Sequence, residues 1–137
     1  MNPILHIIPR AVWEQAQHGS SYRGDTLDAE GFIHFSTPAQ VVMVANARFH
    51  GHPGLLLLVV DPAKLTAELR YEAPFEASNA SEAAENFPHL YGPLNLDAVV
   101  RSVAFKHDGE ARFTLPDYFP PAPGGRSDPP RGCRARP

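Results

Sequence analysis

Apolar and polar positions along the chain predict short strands that alternate with short helices. Runs rich in β-branched and aromatic residues are typical of strands, and the unbroken apolar run 55–60 indicates a central strand covered on both faces. Asp108 and Gly109 favour a type I′ hairpin turn between the last two strands. The strands predicted in this way are 4–8, 31–35, 55–60, 68–72, 99–105 and 111–115.

Two helices are predicted from their start and stop signals. Pro9 opens a helix that ends near Gly19. Thr37 at the N-cap, Pro38 at the first helical position and Gln40 three residues after the cap form a capping box. This motif predicts a helix that begins there and runs to about residue 49.

The remaining segments are predicted to be turns and loops. A capped helical turn is expected at 61–65. Residues 73–88 are rich in Ala, Glu, Asn and Ser and predict a long surface loop, and such loops are usually functional or mobile. Gly92 and Pro93 indicate that the segment 87–93 is a rigid turn.

This alternation predicts one α+β domain, residues 1–119, followed by a tail, residues 120–137. Six of the 15 prolines fall in the tail, which has no large aliphatic or aromatic side chain. The tail therefore cannot form a core, and its Pro, Gly and Arg composition indicates disorder. Its four arginines and one aspartate give the tail a charge of +3. Since the whole chain has a net charge of −3, the domain has a net charge of −6.

Charge, cysteine content and hydropathy exclude several classes of protein. An acidic domain lacks the broad Lys and Arg surface that binding to duplex nucleic acid needs. The single cysteine, Cys133, lies in the tail and can form neither an internal disulfide nor a cysteine-rich zinc site. The longest apolar run is too short to cross a membrane, and the first residues lack a basic signal-peptide region. We therefore expect a soluble, cytoplasmic protein.

All seven histidines lie in the domain, and two of them lie within predicted strands. A histidine in an apolar strand needs a partner, because burying its ring unsatisfied costs ~1–3 kcal/mol. Strand alternation places His34 and Ser36 on one face, directly before the helix N-terminus at Thr37, whose free N–H groups suit an anion such as phosphate. The alternative is that Ser36 and Thr37 only cap the helix and that His6 and His34 are structural.

A second group of candidates lies on strand 68–72 and in the segment 87–93. Arg70 and Glu72 alternate onto one face of their strand. If that face lines a cleft, Arg70 can bind a phosphate or carboxylate through two hydrogen bonds, and Glu72 can orient a hydroxyl. His89 and Tyr91 would add an aromatic wall. The alternative is a solvated face with a surface ion pair.

Other chemistries lack their motifs. His50 and His52 form a His-x-His pair at a turn, without the HExxH helical spacing of a zinc site, so we predict no metal site. The sequence contains no GxSxG elbow, no P-loop and no GxGxxG motif.

Four segments resemble, in order and spacing, the bacterial family called domain of unknown function 952, whose members are also labelled glutathione S-transferase domain-like. The segments are residues 4–8 with His6, GFIHFS at 31–36, RYE at 70–72 and FPHLYGPL at 87–94. The resemblance covers about residues 3–118. It implies a fold similar to the ADP-ribosyltransferase superfamily, a split mixed sheet with a cleft in which NAD or a related nucleotide lies.

The resemblance also implies roles for individual residues. His6 stands where a first-strand residue of that superfamily contacts a nucleotide ribose, and His34 with Ser36 stands where the second motif lines the nicotinamide pocket. A pair of strand histidines is also similar to the RNA 2′-phosphotransferase branch. The closing hairpin has no Q-x-E or E-x-E pattern, so the third catalytic position is unmatched, and Glu72 is a candidate by its chemistry alone.

Two hypotheses about function follow. In the first, the protein is a transferase or phosphotransferase with NAD as candidate cofactor, in which fixed groups stabilise the reacting charges. His6 orients the ribose, His34 and Ser36 hold the leaving group or phosphate, and Arg70 neutralises charge. In the second, the protein is a non-catalytic sensor that binds a nucleotide or small anion in the same cleft. The catalytic candidates are His6, His34, Arg70 and Glu72, and the ligand-binding candidates are Ser36, Thr37, His89 and Tyr91.

Overall fold

Strands and helices alternate along the chain in a computed structural model that describes residues 2–24, 26–73 and 85–116. The strands are β1 Ile4–Pro9, β2 Ser21–Tyr22, β3 Ile33–His34, β4 Leu55–Val60, β5 Glu68–Glu72, β6 Phe87–Tyr91, β7 Leu94–Asn95 and β8 Val99–Phe105. The α-helices are α1 Arg10–Ala16, α2 Thr26–Glu30 and α3 Val41–Arg48, and short 3-10 helices occupy Pro62–Lys64 and Leu96–Ala98. The α+β class is confirmed.

The described strands form three small sheets in the orders β1-β4-β8, β3-β6-β5 and β2-β7. The strand β4 lies in the centre of the first sheet and is buried along its whole length, as its unbroken apolar run predicted. Every pairing between these strands is antiparallel, so the expectation of a mixed sheet is wrong for the described part of the chain. A bridge between Leu5 and Ser36 joins β1 to the residues that follow β3.

The two faces of the β1-β4-β8 sheet pack into two separate cores, because successive side chains of β4 point to opposite faces. On one face, Leu56 and Leu58 pack in a cluster with Ile33 and Leu90 of the β3-β6-β5 sheet. On the other face, the alternate β4 residues pack against the buried residues of α3. The sheet is thus the middle layer between α3 and the second sheet. None of the described helices has the length and apolar character needed to cross a membrane.

The capping-box motif forms its side-chain bond, but the helix begins later than predicted. The backbone N–H of Thr37 donates to Oε1 of Gln40 at 3.1 Å. The α-helix itself begins at Val41 and has Gln40 at its N-cap. The motif therefore closes the turn before the helix.

The segment 87–93 is mainly a strand and not the predicted turn. Phe87–Tyr91 forms β6, which pairs with β3 on one side and β5 on the other. Phe87 and Leu90 are buried in this strand, and the turn residues Gly92 and Pro93 lie beyond its end. Most of the predicted loop 73–88, residues 74–84, lies outside the described residues.

The closing hairpin also differs from its prediction. Among the described residues the non-glycine with positive φ is Ala111, at 66°, and Gly109 is not one of the glycines with positive φ. A type I′ turn needs positive φ at both Asp108 and Gly109, so the prediction of this turn type is wrong. The Asp108 carboxylate instead accepts hydrogen bonds from the backbone N–H groups of Glu110 and Arg112. The second strand is reduced to one bridge between His107 and Phe113.

Candidate functional site

A cavity of about 710 Å³ lies beside β1, near the bridge that joins Leu5 to Ser36. Its walls come from β1, β2, β3 and β6 and from all three described α-helices or the residues next to them. The walls are largely apolar, with aromatic rings from Phe35, Phe49 and Phe87. The polar lining residues are His6, Tyr22, Thr26, Glu30, His34, Ser36, Arg48 and His89.

The ring of His6 is held between the two sheets. Its Nδ1 atom lies 2.7 Å from the backbone carbonyl oxygen of His34. A carbonyl oxygen only accepts, so Nδ1 is the donor. The other ring nitrogen, Nε2, lies 3.2 Å from the hydroxyl of Tyr22, and the rings of Tyr22 and Phe35 lie 5.4 and 5.3 Å from the His6 ring. These contacts fix the orientation of His6 at the cavity wall.

His34 lines the cavity with a side chain that is 43% exposed. Its Nε2 atom lies 2.8 Å from Oε1 of Glu30, four residues earlier at the end of α2. The ring also lies edge-on to Phe32, with 4.8 Å between centroids. The adjacent Ser36 is buried, and its backbone forms both hydrogen bonds of the bridge to Leu5.

His89 is almost completely buried, with 2% of the residue exposed. Its ring stacks on Phe32 at a centroid distance of 4.2 Å and lies edge-on to His34 at 5.5 Å. Its Nδ1 atom lies 3.0 Å from Oε1 of Glu72, whereas its Nε2 atom is buried and finds no hydrogen-bond partner in the described part of the chain. Burial lowers the pKa of His89, and the hydrogen bond to Glu72 opposes this effect.

Glu72 accepts hydrogen bonds from two side chains of β6. The hydroxyl of Tyr91 donates to its Oε1 atom at 2.5 Å, in addition to the bond from His89. The Tyr91 bond, followed by the His89 bond, holds the pKa of Glu72 below its usual value, and the bond to Glu72 raises the pKa of Tyr91. The Glu72 carboxylate therefore positions the His89 ring and the Tyr91 hydroxyl.

Arg70 does not reach the cavity. Its Nε and Nη2 atoms lie 2.9 and 3.1 Å from the carboxylate oxygens of Glu68, and both side chains are at least half exposed. The guanidinium also stacks over the ring of Tyr91, with Cζ 4.6 Å from the centroid. The strand alternation was predicted correctly, but the described partner of Arg70 on that face is Glu68.

Half of the eight candidate residues from the sequence converge on the cavity. Those that line it are His6, His34, Ser36 and His89. Glu72 and Tyr91 do not line it but are connected to it through His89, while Arg70 and Thr37 contribute no lining.

Sequence reasoning missed four polar residues of the lining: Tyr22, Thr26, Glu30 and Arg48. The spacing of Glu30 four residues before His34 gave no signal, because residues four apart meet on a helix and His34 was predicted to lie in a strand. Nothing in the sequence around Tyr22 or Arg48 marked them. Among the described residues, no group of three or more His, Cys, Asp or Glu side chains is arranged to hold a metal ion.

The arrangement can bind a small molecule that has both ring and hydroxyl groups. Cavities of this size with mainly apolar walls and a few fixed polar groups are typical of small-molecule sites. Imidazole nitrogens can donate or accept hydrogen bonds, and the aromatic walls can pack against a planar ring.

Three comparisons place the chain among known proteins. A model of the family described as "Protein of unknown function (DUF952)" matches residues 7–102. The crystal structure of protein CC0527 from Caulobacter crescentus is similar, with 31% sequence identity, a TM-score of 0.72, and coverage of 85% of this chain and 96% of that chain. The solution NMR structure of CC0527 gives 31% identity and a TM-score of 0.71, with coverage of 87% of this chain and 97% of that one.

A crystal structure of a double mutant of CC0527 has 30% identity and a TM-score of 0.72 and covers 85% of this chain and 96% of that chain. No curated protein matches the chain. The family match covers more than half of the sequence, and the similarity to CC0527 extends over nearly all of that protein. The chain therefore belongs to the DUF952 family of proteins of unknown function.

Proposed function

We propose that the protein binds a nucleotide of the NAD or ADP-ribose class in the cavity beside β1. The observation that carries this proposal is that His6, His34 and His89, from three different strands, line one cavity of about 710 Å³ with aromatic walls. Small-molecule sites of this type usually have volumes of about 300–1,000 Å³. The cavity is therefore large enough for a ligand of nucleotide size.

The lining offers separate surfaces for the parts of such a ligand. The rings of Phe35, Phe49 and Tyr22 can pack against a base, since aromatic side chains stack on the flat faces of bases. Arg48 lies at the α3 end of the cavity and can contribute a positive charge toward phosphate. The histidines supply polar groups for sugar hydroxyls.

The resemblance to ADP-ribosyltransferases supports the same assignment. His6 and the pair His34 and Ser36 match the positions that contact ribose and nicotinamide in that superfamily, and all three line the cavity. In the transferase form of the proposal, these residues hold NAD while a group is transferred. Arg48 lines the cavity and takes the charge-neutralising role first expected of Arg70, which does not line it.

One observation favours the alternative of a non-catalytic sensor. The candidate for the third catalytic position, Glu72, does not line the cavity, and its carboxylate is bound by Tyr91 and His89. Glu30 lines the cavity but is paired with His34. A sensor would keep the nucleotide site and lack turnover.

Thermal unfolding with NAD, ADP-ribose, ADP, inorganic phosphate and zinc tests the proposal. A ligand at a hundred times its Kd stabilises the folded state by roughly 2.7 kcal/mol, which raises Tm measurably. We expect a nucleotide to raise Tm in the wild type and in His18→Ala, which alters an exposed histidine outside the lining, and to have less effect in His34→Ala. The proposal fails if no nucleotide raises Tm at millimolar concentration.

Turnover separates the two forms of the proposal. Purified protein is incubated with NAD, and the release of nicotinamide is compared between the wild type and His34→Ala. Release that is lost in the variant supports a transferase. Binding of NAD without release supports a sensor.

A further inference from the structure

We infer that His89 presents a hydrogen-bond acceptor to the ligand of the cavity, and that Glu72 is the residue that positions it. The ligand therefore contacts this wall with a hydroxyl or N–H group, such as a sugar hydroxyl, and not with a phosphate. This inference rests on the proposed function in one respect, that the cavity beside β1 binds a small molecule.

The first step is the protonation of the ring nitrogen beside Glu72. Nδ1 of His89 lies 3.0 Å from Oε1 of Glu72, and a carboxylate can only accept. The proton of the neutral ring therefore resides on Nδ1. The same carboxylate oxygen is bound by the hydroxyl of Tyr91 at 2.5 Å, which holds it in place.

The second step concerns the opposite nitrogen, Nε2. With the proton on Nδ1, Nε2 of the neutral ring carries a lone pair and is an acceptor. This Nε2 atom is buried and finds no hydrogen-bond partner among the described residues. Buried polar atoms in folded proteins are almost always hydrogen-bonded, so an exception of this kind calls for a donor from elsewhere.

The third step is the position of the ring. His89 lines the cavity, and its face is fixed by stacking on Phe32 at 4.2 Å. A ligand reaches the buried Nε2 atom only after a side-chain movement. The side chain that we expect to move is the partly exposed His34, which lies edge-on to His89 at 5.5 Å and is bonded to Glu30.

The fourth step is the chemistry of the ligand group. The ionised phosphate oxygens of a dinucleotide accept hydrogen bonds and cannot donate them, and they are negatively charged. They therefore cannot satisfy the acceptor Nε2 of a ring whose other nitrogen is bonded to a carboxylate. A sugar hydroxyl or an amide N–H is a donor and can satisfy it. In a bound nucleotide, this wall would therefore face the ribose, and the phosphates would lie elsewhere in the cavity.

Nitrogen NMR of the histidine rings tests the inference. In full-length ¹⁵N-labelled protein, long-range ¹H–¹⁵N correlation spectra report which nitrogen of each ring is protonated, and His89→Phe identifies the signals of His89. We expect a protonated Nδ1 and a bare Nε2. We expect Glu72→Gln, whose amide can also donate, to disturb this tautomer, while the matched variant Tyr91→Phe preserves it.

The probes are D-ribose, ADP-ribose and inorganic sulfate, whose oxygens only accept hydrogen bonds. Ribose and ADP-ribose should move the Nε2 resonance in the direction of an accepted hydrogen bond, and sulfate should not. His89→Phe should weaken ADP-ribose binding about tenfold, as the loss of one hydrogen bond implies. The tautomer spectrum detects positioning by Glu72 independently of any loss of stability.

The outcomes separate this inference from the proposed function. A proton on Nε2 in the free protein, or ADP-ribose binding that leaves Nε2 unmoved, overturns the inference while the nucleotide site stands. A response to ribose without binding of any nucleotide supports the inference and overturns the nucleotide proposal. If no probe moves Nε2, the inference is overturned.

Discussion

The imidazole of His6 is hydrogen-bonded to the main chain of His34, with 2.7 Å between Nδ1 and the carbonyl oxygen. This bond joins β1 of the central sheet to β3 of the second sheet beside the Leu5–Ser36 bridge. One side chain therefore both lines the cavity and connects the two sheets that form it.

Replacing this ring should destabilise the domain. In His6→Ala, the His34 carbonyl loses its donor, and we expect the free energy of unfolding in urea to fall by about 1–2 kcal/mol. The control is His18→Ala, because His18 is an exposed histidine on the turn that follows α1. It should change the free energy by less than about 0.5 kcal/mol. Equal losses in the two variants would contradict a connecting role for His6.

Gln40 should be a second structural determinant. Its buried amide accepts from the N–H of Thr37 and donates to the Asn86 carbonyl and the Glu85 carboxylate, so it joins the start of α3 to the chain that enters β6. Gln40→Leu keeps the size but leaves these groups without their partner, and we expect a loss of about 1–3 kcal/mol in urea unfolding. Gln15→Leu, on the exposed face of α1, is the control and should change little.

Gly92 is required by close packing after β6. A Cβ atom at this position would lie 2.7 Å from Cβ of Ala67, while a Cβ at Gly109 would meet no atom within 4 Å. We expect Gly92→Ala to lower the free energy of unfolding by about 1–3 kcal/mol and Gly109→Ala to have little effect. Adding Ala67→Gly to Gly92→Ala should restore most of the loss. An unchanged midpoint in Gly92→Ala would contradict this packing.

The sequence predicted the elements whose signals are local and strong. Residues 55–60 and 68–72 form strands with the predicted bounds, and Asp61 caps the following turn through the N–H of Ala63. These patterns need no information about distant residues. They were sufficient for the α+β class and for the central strand.

Elements that depend on distant partners were predicted less well. The strand β6 contains Pro88, and it forms because Phe87 and Leu90 are buried between two neighbouring strands. The predicted strand 31–35 is shortened to Ile33–His34. The N–H of Phe35 donates to the carbonyl of Pro88, but Pro88 has no N–H to complete the pair.

In the candidate site, too, local signals were predicted and distant partners were not. Residue types identified the three histidines, since a buried imidazole needs a partner in any fold. The identity of each partner depends on tertiary structure. Glu72 lies 17 residues before His89 in the sequence, and no periodicity links the two.

The buried state of His89 should make the stability of the domain depend on pH. Burial lowers the folded-state pKa of His89 below its ordinary value of 6.5. At acidic pH the His89 ring is therefore protonated more readily in the unfolded chain than in the folded chain. The contribution of His89 to the free energy of unfolding is therefore fully present above about pH 6.5. It is lost as the pH falls below 6.5 toward the folded-state pKa. The lowered pKa of Glu72 acts in a separate window, below its ordinary 4.5.

The measurement is urea unfolding of the wild type and His89→Gln at intervals between pH 7.5 and pH 5. The other histidines are common to both proteins, so their contributions largely cancel in the difference. We expect the advantage of the wild type to shrink as pH falls through 6.5, by up to about 1.4 kcal/mol for each unit by which folding lowers the pKa. An advantage that grows toward pH 5 would mean that folded His89 is protonated more readily than the unfolded residue, and the acceptor role of Nε2 would fail with it.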